Sequence, residues 1–163
     1  MSEAVDPLVK ITRVPERGAY DKESIYSTFD DGYLCHVAYE SDHGPVVLPT
    51  LYGRHENFIY FHGSPAAGMF RRGNSDVNIS LVVTHVDGFV LARSLFDHSM
   101  NYRSVVAIGK TEKVEDPEEV MHALEVITED CLPGRWEEDR EPNDVEMRQT
   151  TVFRFELTTA LIK

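Results

Sequence analysis

Apolar residues along this chain recur mostly at a spacing of two, the period of a half-buried strand. Val77, Ile79, Leu81 and Val83 give the clearest alternation, inside a strand expected from Asp76 to Thr84. Tyr33 to Tyr39, rich in β-branched and aromatic residues, predicts a first strand, and Pro45 to Tyr52 a second. Proline cannot donate to a ladder, so Pro45 and Pro49 mark that second strand as irregular. Pro49 predicts a bulge, or a point where the backbone turns its groups toward a ligand. Phe58 to His62 and Thr151 to Thr158 predict two more strands. Val86 to Gly109 predicts a strand, a tight turn at Asp87-Gly88 and a returning strand, because glycine supplies positive φ freely. The total is about seven strands.

Helical spacing is confined to inserts. Asp21, or alternatively Ser24, caps a short helix through Phe29, which Asp30-Asp31-Gly32 ends. Ser64 and Pro65 fit the start of a helix running to Arg72. Asp116-Pro117-Glu118-Glu119 opens the best helix, with Val120, Leu124, Ile127 and Cys131 on one face. Asn143 caps a short helix to Gln149. Residues 1–20, interrupted by Pro7 and Pro15, read as an extended arm. Strands do not alternate with helices, so a doubly wound sheet is disfavoured. The expected architecture is mainly β with helical inserts: a closed or half-open antiparallel barrel spanning residues 1–163 as one domain.

Composition narrows the partners. The chain of 163 residues carries a formal charge of -12, which disfavours nucleic acid and anionic membrane surfaces as partners. Arg71-Arg72 is the local exception. Cys35 and Cys131, the two cysteines, read as buried thiols rather than a disulfide framework or a zinc site. The N-terminus shows neither a basic region nor an apolar run, so a cytoplasmic protein is expected.

Two stretches carry candidate chemistry. His62, Ser64 and the Arg71-Arg72 pair suit an anion at a helix start, or else a solvated pair ending a surface helix while His62 caps a strand. Pro49-Thr50-Leu51-Tyr52-Gly53 suits a flat aromatic ligand, although spacing alone favours a bulged edge strand. A third polar run, Arg93 to Ser104, holds more hydrogen-bonding groups than a core hairpin needs. His36 reads as a core histidine. No nucleophile elbow, dinucleotide fingerprint or metal spacing occurs.

The pieces RVPERGAYD, CHVAYE, PVVLPTLYGR, FIYFHGSPAAGMFRRG, VDGFVLARSLFDHSMNYRSVVAIG and LPGRW together resemble the flavin-binding branch of the pyridoxamine 5'-phosphate oxidase-like family, which includes the 5-nitroimidazole resistance proteins. The resemblance implies a Greek-key split barrel binding FMN, in preference to FAD, at a homodimer interface, with a small molecule as substrate. It places the isoalloxazine against Leu48, Pro49, Thr50, Leu51 and Tyr52. It places the phosphate near His62, Gly63, Ser64 and the Met69, Phe70, Arg71, Arg72 helix. Asn101, Tyr102, Arg103 and Ser104 complete the site, from either chain. It names no catalytic residue. Met69 and Phe70 stand where the resistance proteins usually carry a lysine, and the C-terminal TTALIK lacks the Arg- and His-containing motif of vitamin B6 oxidation. A flavin-dependent oxidoreductase is the first expectation. A non-catalytic flavin module is the second, and haem on His36 or His62 the third.

Overall fold

The computed structural model describes Pro7, residues 10–65 and 77–158, and the backbone of 160–162. Among the described residues, seven strands and four α-helices follow in order: α1 (Lys22–Asp30), β1 (Leu34–Ser41), β2 (Gly44–His55), β3 (Phe58–Gly63), β4 (Val77–Val90), β5 (Ser99–Lys113), α2 (Pro117–Cys131), α3 (Arg135–Glu138), α4 (Asp144–Arg148), β6 (Thr151–Glu156) and β7 (Ala160–Ile162). Every strand pairing is antiparallel. β1, β2, β3, β6, β5 and β4 pair in a closed cycle, and β7 adds to β5. The core inside the ring includes Val37, Phe61, Leu81, Val105 and Phe155, all at most 1% exposed.

α1 plugs one end of this core. The Asp21 side chain accepts from Ser24 N at 2.9 Å, so Asp21 is the cap. Phe29 is fully buried, and its carbonyl accepts the Tyr52 hydroxyl proton at 2.5 Å. Arg54 grips Asp30 with two bonds of 2.5 and 2.7 Å, tying α1 to β2.

α2 forms as expected, with Asp116 capping Glu118 N. It packs over β2 and β3 on a second, smaller core of Tyr60, Val114, Ala123, Ile127 and Val152. α4 shows a full capping box between Asn143 and Glu146.

Three expectations fail. Asp87-Gly88 is no turn. β4 runs straight through it to Val90, so the strands expected at 76–84 and from Val86 are one. The register slips between Val86 and Gly88, which makes Asp87 the extra residue of a β-bulge, and among the described residues the positive-φ glycines are Gly44 and Gly134. The reversal comes at residues 91–98 instead. Pro49 makes no bulge either. The β1–β2 register is unbroken from Leu34↔Leu51 to Ser41↔Gly44, with Pro49 opposite His36. The fold tolerates both prolines because of phase. Tyr52 N donates to Tyr33 O on the β1 side, so residues 45, 47, 49 and 51 turn their backbone groups the other way. Finally, His36 is exposed on the outer face of β1 rather than in the core. The helix expected from Pro65 to Arg72 lies, after Pro65, outside the described residues.

Candidate functional site

β2 and β3 pair only from Tyr52↔Phe61 to His55↔Phe58. Before Tyr52 the two strands part. Among the described residues the β2 edge from Gly44 to Leu51 has no partner on that side, while His62 and Gly63 continue on β6 opposite Val152 and Thr151. The result is a notch in the ring. Leu48, Pro49, Thr50 and Leu51 line one side, and His62, Gly63 and Ser64 lie at the head of the other. Val47 and Leu51 turn backbone N–H groups into it, the kind of donor a heterocycle's carbonyl oxygens and nitrogens accept. Leu48 and Leu51 are 36% and 43% exposed.

Tyr52 lies differently. Its ring is fully buried and stands edge-on to Phe29, at 5.7 Å between centroids. Burial raises its hydroxyl pKa far above the usual phenol value. Tyr52 therefore anchors the floor of the notch from within the core.

The His62 ring sits on the α2 side of the ring wall, beside a cavity of about 430 Å³ that Leu124, Arg140 and Thr150 also line. Its Nδ1 is buried without a hydrogen-bond partner, and burial lowers its pKa from 6.5. The sign of the pH effect follows. Below 6.5 the unfolded chain takes up a proton that folded His62 resists, so stability falls as pH drops through that value. His62→Gln removes this component. Comparing urea midpoints at about pH 5 and pH 8, the parent is expected to lose more than the variant. Equal losses would show that His62 is not held neutral.

Asn101, Tyr102, Arg103 and Ser104 lie on β5, two strands beyond β1. Ser104 opposes Thr84, and Leu51 opposes Leu34. At about 4.8 Å per strand, Leu51 and Ser104 stand roughly 14 Å apart across the outer face. One chain therefore does not bring the two halves of the expected site onto one ring system. Asn101 and Tyr102 instead line a separate hollow of about 640 Å³ with Arg17, Asp87, Val90 and Met100.

Arg103 is already engaged. Its guanidinium donates to Asp31 at 2.5 Å and to Asp87 at 3.1 to 3.3 Å, and both carboxylates hold its pKa raised. It is a positioning residue, joining the bulge of β4 to the end of α1. Sequence reading missed both acids. Asp87 is hidden from a local reading because Asp-Gly is also the signature of a turn. Met69, Phe70, Arg71 and Arg72 lie outside the described residues.

The outer face of β2, β1, β4 and β5 adds one more property. Its positions alternate with the buried Cys35, Val37, Leu81, Val83 and Val105. Its middle, from Val47 and Ala38 across to Ile108, carries no acid, lysine or arginine, with Glu40 opposite Pro45 and Lys110 opposite Asn78 at one end, in a chain that is 27% charged. Val47, Leu34 and Val86 are 60%, 47% and 56% exposed there.

Residues 21–163 match the pyridoxamine 5'-phosphate oxidase family. The chain belongs to that family. The antiparallel split barrel expected from sequence is the fold of this family, and the six-strand cycle is its ring. Among solved structures, the flavocytochrome Anf3 from Azotobacter vinelandii is similar at 30% identity, with 99% of this chain and 75% of that one covered and a TM-score of 0.87. An FAD and haem binding protein from Mycobacterium smegmatis matches at 28% identity over 90% of this chain and 72% of its own, with a TM-score of 0.83. A candidate 5-nitroimidazole antibiotic resistance protein from Bacteroides thetaiotaomicron matches at 25% identity, 89% and 84% coverage and a TM-score of 0.70. No curated protein matches the chain. Among the described residues, no helix of this family member is long and apolar enough to cross a membrane.

Proposed function

We propose that this chain binds a flavin, with FMN as the expected form, at the interface of a homodimer, and exchanges electrons between it and a small molecule. The notch between β2 and β3 carries this reading. It offers a strand edge that is open among the described residues, exposed aliphatic side chains and the His62-Gly63-Ser64 strand end together, beside a face whose middle is uncharged. The Leu48–Leu51 edge would hold the ring system with backbone donors and apolar contact. His62 to Ser64 would lie toward the phosphate. A bound flavin would supply the electron transfer, which no side chain here performs alone. The protein's part is to orient the ring and exclude water. Tyr102 and Ser104, some 14 Å away in the same chain, would reach the ring from the second copy.

Haem is a second reading, held by the same barrel alone or beside the flavin. It is favoured by His36, an exposed imidazole in the uncharged middle of the outer face, and by the two relatives named for haem or cytochrome character.

The test is the absorption spectrum of the purified protein before and after incubation with FMN, FAD or haem. A flavin spectrum is expected, with the released cofactor identified by chromatography. A protein that stays colourless after loading overturns both readings. A haem band lost in His36→Ala supports the second. Turnover with reduced nicotinamide and a panel of acceptors separates an oxidoreductase from a binding module.

A further inference from the structure

Beyond Val82 and before Val105, β4 and β5 pair only with each other among the described residues. They form a two-stranded arm that leaves the ring. Its root is fixed: His85 Nε2 donates to Thr28 O at 2.8 Å, and Arg103 bridges Asp31 and Asp87. Its tip is fixed as well. Ser94 Oγ accepts from Phe96 N at 3.2 Å, Asp97 N donates to Ser94 O at 3.2 Å, and Ala92 N donates to His98 Nδ1 at 3.0 Å. Several polar groups of this run therefore brace the loop internally. The apolar side chains point away: Leu91, Leu95 and Phe96 are 82%, 87% and 94% exposed.

The bulge gives the arm its face. Without the extra residue at Asp87, the positions after Val86 on the outer side would be Gly88 and Val90. With it, Phe89 opposes Met100 and joins Val86 and Tyr102 on that side. Phe89 is 78% exposed. The arm thus extends the uncharged middle of the ring's outer face through Val86, Phe89, Met100 and Tyr102. A rigid arm with an apolar tip is costly to leave in water, since a lone two-stranded hairpin is barely stable.

We propose that the arm is a reciprocal clasp, the Leu91–His98 tip of each protomer seating on the Leu48–Leu51 edge of a second copy. The proposal rests on the dimeric flavin reading above and names the segment that closes each notch. A second copy fits because two chains of charge -12 approach most easily through the uncharged middle of this face, with one cation (Arg93) and one acid (Asp97) balanced on the tip, and because neither chain alone completes the site.

The experiment places the photoreactive p-benzoylphenylalanine at position 96 and maps cross-links by mass spectrometry in the full-length protein. Cross-links from position 96 of one copy to residues 48–51 of another support the clasp, as does at least a tenfold weaker dimer in Phe96→Ser by sedimentation. A dimer that binds flavin yet cross-links elsewhere, or that Phe96→Ser leaves unchanged, overturns the clasp and leaves the flavin reading standing. A monomer overturns the clasp. A clasped dimer that takes up no flavin supports it and overturns the flavin reading instead.

Discussion

Gly53→Ala is expected to destabilise the fold by about 3 kcal/mol, the upper end for forcing an extra carbon into a packed site. For a domain of this size that lowers the melting temperature by roughly 6–12 °C. The reason is the crossing of α2 over β2. A Cβ on Gly53 would stand 2.7 Å from Val126 O and 2.8 Å from Ile127 N, which are helix backbone and cannot rotate aside. Relief requires α2 to lift from the sheet, opening the small core at Ala123 and Ile127, which are 0% and 4% exposed. Gly88→Ala is the control. A Cβ there meets nothing within 4 Å, and the residue does not have positive φ. Its cost is expected within about 0.5 kcal/mol. The pair also separates the two accounts of Asp87-Gly88, because a primed turn would strain alanine and the bulge does not. Differential scanning calorimetry reads both. A Gly53→Ala protein melting within about 2 °C of the parent would show that α2 does not approach as closely as described.

Local rules carried the sequence reading where neighbours in the chain decide the outcome. Asp21, Asp116 and Asn143 cap helices as their side chains require, and α2 buries the expected face. The reading failed where a distant partner decides. Asp-Gly marks a hairpin only if the strands have nothing to gain by continuing. Here β4 continues because β5 answers it out to Ser99, and Asp87 bulges because Arg103 claims its carboxylate. Pro49 looked disruptive because a sequence does not say which edge of a strand is open. The Leu48–Leu51 and His62–Ser64 pieces could be named from resemblance. Their meeting at a notch depends on β2 and β3 separating after Tyr52↔Phe61, and nothing local encodes that. The polar run from Arg93 to Ser104 is unusual for a core hairpin, but much of its bonding capacity serves the arm itself.

Phe29→Ala is expected to cost about 3–5 kcal/mol, the range for emptying a buried phenylalanine site. The ring is fully buried, and it meets the edge of Tyr52. Its loss leaves the Tyr52 hydroxyl bonded to a backbone no longer held in place. The second consequence is functional. α1 carries Thr28 O and Asp31, the two groups that hold His85 and Arg103 at the root of the arm. A loosened α1 therefore loosens the arm. Phe155→Ala removes a ring that is equally buried but packs at Gly109 and Ile59, away from that root. Both variants should lose similar stability in urea titrations. At a temperature where both stay folded, Phe29→Ala should also weaken self-association, while Phe155→Ala should not. Equal association in the two would sever α1 from the arm and leave Phe29 a residue of the core alone.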